Sequence, residues 1–479
     1  MQSARPRLIW LPVLLAGLLL GGPLAAGAQP EAQAGLTLMV NSALADAGDA
    51  NPGDGVCETA PGSGVCTLRA AVREANARPG ADTIVLPPGT YPLSLVATSF
   101  EDAALDGDLD LTDDVTLLGA GEADTIIDGN RSASKARVFH IFAGVTVTMS
   151  QLTIRNGTNE PAPGIAGGIL NHGTLTLEHV TLTENDRGGL DNQGSATLDH
   201  LTYTRNTGNG ANLRNSGNGT MLVRDSYIAD NENNGASGGV WAGPGHLTLL
   251  NTTISHNGGP ATDSGGGLVV FNGIATVINS TLSGNQATAR GGGIYVGQSS
   301  ASHPTTLNLH NATVVNNTAD TSQGNWSGGG IYVDTSNGFT PVVNLRNTIL
   351  ANNWLHDIGG PASDCAGPLN SGGYNLIKTT AGCTLNGVTA GNLTGVDPEL
   401  GRLAGDGPAR LHVLQSDSPA IDAGHPAGCA DALGARLATD QRGYARHVDG
   451  GSGAARCDIG AFEYAASAPN FVFLALIVR

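Results

Sequence analysis

The sequence is poor in aromatic and in charged residues. Only 4% of its 479 residues are aromatic and 13% are charged, and Lys and Arg number 23 against 41 Asp and Glu. A formal net charge of −18 argues against nucleic acid as a partner, because phosphate binding needs a basic face. None of the six cysteines lies in a CxxC pair, so disulfides are favoured over a zinc site, which remains the alternative.

Long amphipathic helices are also missing from the middle of the chain. Residues 175–185, 247–257, 275–285 and 307–317 instead repeat one short motif in which apolar and polar residues alternate, and runs of glycine separate the copies. Alternation with a period of two indicates strands, and recurrence after about 20–35 residues indicates a solenoid. The pattern predicts an all-β, right-handed parallel β-helix of about eight to eleven coils, similar to the pectate-lyase solenoid.

Two polar positions recur through the copies of this motif. The copies close on Asn185, Asn206, Asn231, Asn257, Asn285, Asn317 and Asn352, and six residues before the closing position stand His179, His200, Asp225, Asn251, Asn279 and Asn311. Equivalent residues of successive coils stack about 4.8 Å apart, which lets side-chain amides bond to one another along the axis. We therefore predict that Asn251, Asn279 and Asn311 form an interior ladder. A row of ligand-binding or catalytic groups is the alternative.

The beginning of the chain has the features of a secretory signal peptide. Arg5 and Arg7 precede an apolar run, and Ala26, Gly27 and Ala28 offer a small-residue cleavage site. An exported protein meets an oxidising environment, where cysteines pair. Of fifteen possible pairings of six cysteines, proximity in sequence favours Cys57–Cys66, Cys365–Cys383 and Cys429–Cys457.

Both flanks of the repeats resemble known families of exported bacterial proteins. The stretch Cys66-Thr-Leu-Arg-Ala-Ala-Val-Arg-Glu-Ala-Asn76, preceded by a turn-rich loop that holds Cys57, resembles the CSLREA domain, although its second and fifth letters differ. The stretch Ser418-Pro-Ala-Ile-Asp-Ala-Gly424 and the acidic and arginine residues after it resemble the choice-of-anchor Q domain. The first resemblance implies β-helix repeats downstream, and both imply a secreted or cell-surface, extracytoplasmic protein.

These observations divide the chain into five segments. We predict a signal peptide over residues 1–28, an N-terminal cap over 29–80, β-helix repeats over 81–395, a C-terminal segment over 396–465 and an apolar tail over 466–479. The cap should contain a short amphipathic helix with Thr67 as its N-cap, which closes the end of the solenoid. The apolar tail is too short to cross a bilayer, so we expect no membrane span after signal removal.

Three groups of charged residues could carry chemistry. Asp106, Asp108, Asp110, Asp113 and Asp114 offer oxygen ligands for Ca²⁺, or are simply the polar half of a strand. The column Glu184, Arg205, Asp230 and His256 alternates in sign, which also suits ion pairing between coils. The C-terminal group Asp422, Asp440, Arg442, Arg446, Asp458 and Glu463 is interpreted as an ion-pair network that locks a loop-rich cap.

The sequence therefore singles out no catalytic residue, no cofactor-binding residue and no metal ligand. We predict a non-enzymatic β-helix that serves adhesion, binding or envelope structure, with glycans or other cell-surface components as partners. A polysaccharide lyase or glycoside hydrolase acting on acidic glycans is the alternative, because β-helices also carry such enzymes and a fold alone does not decide activity.

Overall fold

The structure of the protein is a computed structural model that describes most of the chain between residues 35 and 465. The described ranges are 35–43, 46–98, 101–159, 166–208, 213–235, 237–320, 328–356, 361–453 and 455–465. The predicted signal peptide and the predicted apolar tail lie outside these ranges. Among the described residues, no helix combines the length and the apolar character that a bilayer span requires.

The repeats fold into a parallel β-helix whose coils contribute to three sheets. In one coil, Leu190–Asn192 belongs to the first sheet, and Ser195–Thr204 then runs through the second sheet and the third. The bend within that strand lies at His200, whose φ of 51° is left-handed. Each of these strands pairs in parallel with the equivalent strand of the next coil.

The first sheet contains ten described strands, which agrees with the predicted number of coils. They are Leu109–Leu111, Phe139–Ile141, Ile169–Asn171, Leu190–Asn192, Leu213–Asn215, Val240–Ala242, Leu268–Phe271, Ile294–Gly297, Ile331–Val333 and the start of Cys365–Gly372.

The second and third sheets share the three ten-residue strands Thr146–Arg155, Thr174–Thr183 and Ser195–Thr204. The second sheet also contains Thr37–Met39, Asp82–Val85, Val115–Leu118, Thr220–Arg224, His246–Leu250, Ile274–Ile278, Thr306–His310, Val342–Arg346, the end of Cys365–Gly372, and Cys383–Val388. The third sheet also contains Gly89–Pro92, Thr125–Asp128, Tyr227–Ala229, Thr253–Ser255, Thr281–Ser283, Thr313–Val315, Ile349–Ala351, Leu376–Ile377 and Leu393–Thr394.

The remaining elements are few. Gln286–Ala287, Thr318–Ala319 and Trp354–Leu355 form a small parallel sheet, and Leu400–Ala404 pairs antiparallel with Leu411–Leu414. The helices in the described ranges are the α-helix Leu68–Ala77 and the short 3₁₀ helix Gly407–Ala409. Alternate apolar side chains of the strands point into the solenoid, where Leu175, Leu177, Val180 and Leu182 are fully buried, so the period of two is confirmed.

The predicted capping helix is present and replaces a missing neighbour strand of the first sheet. Thr67 caps its N-terminus by accepting a hydrogen bond from the Ala70 amide at 3.0 Å. The Asn76 side chain donates to the Asp110 carbonyl at 2.7 Å and accepts from the Thr112 amide at 2.9 Å. In the interior of a sheet a neighbouring strand would make these two bonds. The Asn76 side chain therefore pairs the backbone groups that the first strand of the sheet would otherwise leave without a partner.

An interior asparagine ladder exists, and it is the closing column of the motif. In Asn185, Asn206, Asn231, Asn257, Asn285 and Asn317, each Nδ2 donates to the Oδ1 of the next member at 2.8–3.1 Å, and Asn353 continues the series to Asp364. The last asparagine of this ladder is Asn353 and not the predicted Asn352. Asn352 lies at the corner instead, with a left-handed φ of 55°.

The predicted ladder of Asn251, Asn279 and Asn311 lies elsewhere. All three adopt left-handed φ angles of 48–53° at the corner between the second and third sheets. Their Nδ2 groups donate to Asp225 Oδ1, to the Thr439 carbonyl and to the Ala430 carbonyl, and not to one another. Asparagine recurs here because it tolerates left-handed backbone, which the corner requires. The structure thus differs from the predicted interior stack.

The C-terminal segment, residues 400–464, packs along the outer face of the third sheet. Leu411, Leu414, Ala420, Ile459 and Phe462 of the segment form a second hydrophobic core with Val315, Ile349, Ala351 and Leu376 of the solenoid. The predicted ion-pair network is present, since Arg446 lies 3.3 Å from Glu463 and Arg442 lies 2.6 Å from Asp440. These pairs lock the segment itself, and Arg446 Nη2 links it to the solenoid by donating to Asn279 Oδ1 at 2.8 Å.

The structure pairs the six cysteines as sequence proximity favours: Cys57 with Cys66, Cys365 with Cys383, and Cys429 with Cys457. We expect a non-reducing digest of the exported protein to yield three linked peptide pairs in mass spectrometry, each collapsing after reduction. Free thiols at Cys429 and Cys457 in the native protein would contradict the third pair.

Candidate ligand-binding face

The outward side chains of the first sheet form one continuous column, which we call the first-sheet face. In register order it consists of Asp110, His140, Leu170, Asp191, Arg214, Trp241, Val269, Tyr295 and Tyr332. Each is the second residue of its strand, so its side chain points away from the core while its neighbours point inward. Strands stack about 4.8 Å apart, which brings residues distant in sequence into one row.

A second buried ladder supports this face from inside. Asn171 Nδ2 donates to Asn192 Oδ1 at 2.7 Å, and Asn192 Nδ2 donates to Asn215 Oδ1 at 2.8 Å. These asparagines follow the outward residues Leu170, Asp191 and Arg214 directly in sequence. The satisfied amides fix the backbone at the strand ends and hold the outward side chains in register.

Aromatic side chains cluster on the outward side of the first sheet in what we call the aromatic strip. It consists of Trp241, Tyr295 and Tyr332 of the first-sheet face and the nearby Phe271, all partly exposed. The rings of Trp241 and Phe271 lie 6.0 Å apart, and those of Tyr295 and Tyr332 are stacked at 5.9 Å with 15° between their planes. A Cβ atom at Gly297 would stand 2.7 Å from the Tyr295 ring and 3.1 Å from the Phe271 ring. Glycine is therefore needed for these two rings to lie together.

Polar groups fix the strip. The Tyr295 hydroxyl donates to Asp334 Oδ2 at 2.7 Å, and Arg290 lies 3.4 Å from the same oxygen and 5.2 Å above the Tyr332 ring. Burial opposes ionisation of Asp334, but hydrogen bonds from Ser336 and Tyr295 outweigh it, and the pKa of Asp334 lies below its usual value. Burial, reinforced by Asp334, raises the pKa of Tyr295. Tyr295 therefore stays a neutral donor.

The other end of the face carries titratable groups that we call the Asp–His cluster: Asp102, Asp110 and His140. One ligand atom from each lies within 4.8 Å of the others. Asp110 Oδ1 is 3.3 Å from His140 Nδ1, and His140 Nε2 is 3.2 Å from His172 Nδ1. Nearby Asp108 pairs with Arg137 at 2.8 Å, and burial raises the pKa of Asp108 to about 6.

The structure separates the aspartates that the sequence suggested for Ca²⁺. Asp106 accepts from the Thr98 hydroxyl, Asp113 from the Gly80 amide at 2.9 Å, and Asp114 from the Thr146 amide at 2.6 Å. Asp108 faces Arg137, and only Asp110 reaches the cluster. The five aspartates, for which Ca²⁺ binding was one of two interpretations, therefore do not come together as one group of ligands.

The charged column of the repeats lies at the corner after the third sheet. Glu184, Arg205, Asp230 and His256 all have left-handed φ angles of 54–58°. Arg205 and Glu184 are 3.4 Å apart with side chains 61% and 41% exposed, a solvated ion pair between successive coils.

An open pocket of about 430 Å³ lies elsewhere on the surface. It is lined by Pro92, Asp128, Asn130, Arg131, Ser132 and Asn156. Asp128 already pairs with Arg155 at 2.8 Å.

The aromatic strip was missed in the sequence, although a signal for it exists. Trp241, Tyr295 and Tyr332 each stand two positions after the last glycine of a run, and Gly-Gly-Ile-Tyr occurs twice. The glycines mark the corner before a first-sheet strand, so the second residue of that strand points outward. Aromatic residues at that position, in a chain with so few, indicate an exposed strip.

Comparison with protein families supports the architecture. Residues 164–387 match the family model described as the right-handed β-helix region. The fold is a right-handed parallel β-helix. The predicted fold class is thereby confirmed, while neither the CSLREA nor the choice-of-anchor Q resemblance is reproduced in this comparison. A search of curated proteins finds no match.

Three of the solved structures that match this chain are a pectate lyase, a mannuronan C-5 epimerase module and an α-1,3-glucanase domain. Pectate lyase Pel9A has 15% identity and a TM-score of 0.43, covering 91% of this chain and 98% of its own. The A-module of the mannuronan C-5 epimerase AlgE6 from Azotobacter vinelandii has 15% identity and a TM-score of 0.33, covering 70% and 96%. The catalytic domain of a GH87 α-1,3-glucanase has 12% identity and a TM-score of 0.35, covering 78% and 70%. Likeness at these identities does not imply a shared activity.

Proposed function

We propose that the protein is an exported, non-enzymatic β-helix that binds neutral glycans on its first-sheet face, for adhesion or for attachment to the cell envelope. The observation that carries this proposal is the aromatic strip. The chain has 4 Trp, 8 Tyr and 8 Phe. Four of these twenty rings gather, partly exposed, on one face, although a solenoid does not need exposed aromatics for its stability.

The chemistry of the strip suits a sugar chain. Pyranose rings present apolar C–H faces and hydroxyl edges, so aromatic rings pack against the faces while polar groups bond to the edges. Arg290 and Asp334 border the Tyr295–Tyr332 pair, and Arg214 lies 6.0 Å from the Trp241 ring. Successive coils also present similar surfaces at regular spacing, which suits a polysaccharide built from repeating sugar units.

The charge balance of the strip favours a neutral glycan. Arg214 lies 3.8 Å from Asp191, and Arg290 lies 3.4 Å from Asp334, so each guanidinium faces a carboxylate of the protein. A polyuronate would have to displace these carboxylates and approach a chain of net charge −18. A neutral polysaccharide meets neither obstacle.

Export is supported by the cysteines. All six are paired in the structure, and such disulfides persist outside the cytoplasm. The signal peptide over residues 1–28 would bring the chain there, and the resemblance of both flanks to exported bacterial families supports a secreted or surface-attached protein.

A second candidate function, a polysaccharide lyase or glycoside hydrolase, is favoured by the acidic end of the same face. Asp108, with its pKa raised to about 6 by burial, is suited to exchange a proton near neutral pH, and Asp110 follows two residues later. Glycoside hydrolysis typically uses two carboxyl groups. The release of reducing or unsaturated ends from any polysaccharide, abolished by Asp108→Asn, would favour this candidate.

Loss of one ring from the strip is expected to weaken glycan binding strongly. Trp241→Ala should raise the Kd of the best-bound neutral polysaccharide on a glycan array by about tenfold, which corresponds to about 1.4 kcal/mol. Tyr444→Ala is the matched control, because Tyr444 is 54% exposed but lies in the C-terminal segment. Equal losses for both variants, or tighter binding of polygalacturonate than of every neutral glycan, would contradict the proposed site.

A further inference from the structure

The Asp–His cluster contains a buried carboxylate oxygen without a hydrogen bond. Asp110 is 0% exposed, and its Oδ2 accepts from the Ala104 amide at 3.1 Å. Its Oδ1 lies 3.3 Å from His140 Nδ1 but makes no hydrogen bond. An unpaired carboxylate oxygen in the interior is costly, and it persists where another group completes its coordination.

The spacing of the ligand atoms fits a metal ion. Asp110 Oδ1 and His140 Nδ1 are 3.3 Å apart. Two ligand atoms bound to one tetrahedral ion at about 2.0–2.2 Å are separated by about 3.3–3.6 Å. The observed distance is therefore long for a strong hydrogen bond and lies at the short end of the range for a shared ion. Asp102, exposed on the loop above, places a carboxylate oxygen within 4.8 Å of both.

The surroundings of His140 also match those of a metal ligand. Its second ring nitrogen, Nε2, lies 3.2 Å from His172 Nδ1. A ligating histidine usually donates its other ring N–H to a fixed acceptor, which sets the tautomer and the ring orientation. Asp110 is fixed similarly, since the Ala104 amide donates to its second oxygen.

We propose that Asp102, Asp110 and His140 form a binding site for a first-row divalent metal ion, with Zn²⁺ as the best fit. Ca²⁺ prefers six to eight oxygen ligands and does not select imidazole, whereas Zn²⁺ readily combines one imidazole with carboxylates. Arg137 is paired with Asp108, so a double positive charge would balance Asp102 and Asp110. This site lies at the opposite end of the first-sheet face from the aromatic strip, so the metal proposal does not depend on whether the strip binds a glycan.

The experiment is calorimetric titration of the untagged, metal-free protein with Zn²⁺, alongside the absorption spectrum of the Co²⁺-loaded protein. We expect one ion per chain, a rise in Tm on binding and a tetrahedral Co²⁺ spectrum. His140→Ala should weaken Zn²⁺ binding by at least about a hundredfold, and His172→Ala by about tenfold through its partner. His303→Ala, on an exposed loop, should leave the affinity unchanged.

Asp102→Ala keeps the test decisive if His140→Ala or Asp110→Asn fails to fold, because Asp102 is exposed on a loop. This variant should fold and lose at least about tenfold in Zn²⁺ affinity. No stoichiometric Zn²⁺ binding by the wild-type chain would overturn the proposal. So would binding that survives both Asp102→Ala and His140→Ala, or a preference for Ca²⁺ that is indifferent to His140.

Discussion

Replacing Arg446 with methionine is expected to lower the free energy of unfolding by about 3–5 kcal/mol. The Arg446 guanidinium is 0% exposed and 3.3 Å from Glu463, which is 1% exposed. Its Nη2 also donates to Asn279 Oδ1 and to the Gly460 carbonyl, each at 2.8 Å. Methionine fills much of the volume but leaves the Glu463 carboxylate buried without its counter-ion, which is the costly outcome for a buried pair.

The matched control is Arg436→Met. Arg436 is exposed in the same segment, and its Nε lies 2.9 Å from His447, so we expect a loss below about 1 kcal/mol. Chemical denaturation gives the stability of both variants, and limited proteolysis reports whether residues 400–464 detach first. Arg446→Met with wild-type stability and wild-type protease resistance would show that the pair does not hold the segment.

Removal of one rung of the interior ladder is expected to cost at least about 3 kcal/mol, because several buried groups lose their partners at once. The Asn257 Oδ1 accepts from both the backbone amide and the Nδ2 of Asn231, at 3.2 and 2.8 Å. Its Nδ2 donates to the Ile228 carbonyl at 2.9 Å and to Asn285 Oδ1 at 3.0 Å. Asn257→Ala leaves all of these groups buried in a dry interior without the hydrogen bonds that the Asn257 side chain makes.

Asn251→Gly is the control for this prediction. Asn251 has a φ of 50° at the corner and is partly exposed, so glycine keeps its backbone relaxed and only the contact with Asp225 is lost. Thermal and denaturant unfolding should show a change below about 1 kcal/mol for Asn251→Gly. If the two substitutions cost the same, the closing column would not be the one that stabilises the core.

The solenoid was predictable because each coil repeats one physical pattern. Alternating residues such as Leu175 and Leu177 decide which side of a strand is buried, and the glycines mark the corners. The cap helix was predictable for the same reason, since Thr67 and the apolar face that follows it are local signals. Pairing of the nearby cysteines needed only short-range proximity.

The two asparagine columns were harder to assign, because both recur through the repeats. The two columns differ in backbone conformation: φ is positive at Asn279 and not at Asn285. The sequence pattern does not give the sign of φ directly. A signal was nevertheless present: the corner column contains His179, His200 and Asp225, and charged or titratable groups are poorly suited to a dry stack. The closing column of residues 185–317 contains asparagine alone.

The position of the C-terminal segment was beyond sequence reasoning. Its contacts join residues far apart in the chain, such as the Ala461 amide and the Thr313 hydroxyl, which are 148 positions apart. No periodicity relates these groups, since the segment itself does not repeat. The Asp–His cluster is similar, because it depends on a loop folding over the first strand of the sheet.

The C-terminal segment changes how the solenoid should respond to force. A bare stack of coils is coupled only between neighbours and can unravel one coil at a time from an end. Here the segment bonds to Thr253, Thr281 and Thr313, one in each of three successive coils. Tension along the axis would therefore have to detach the C-terminal segment before those three coils could separate. We expect these coils to unfold together, at a higher force than the coils near the N-terminus that the segment does not contact.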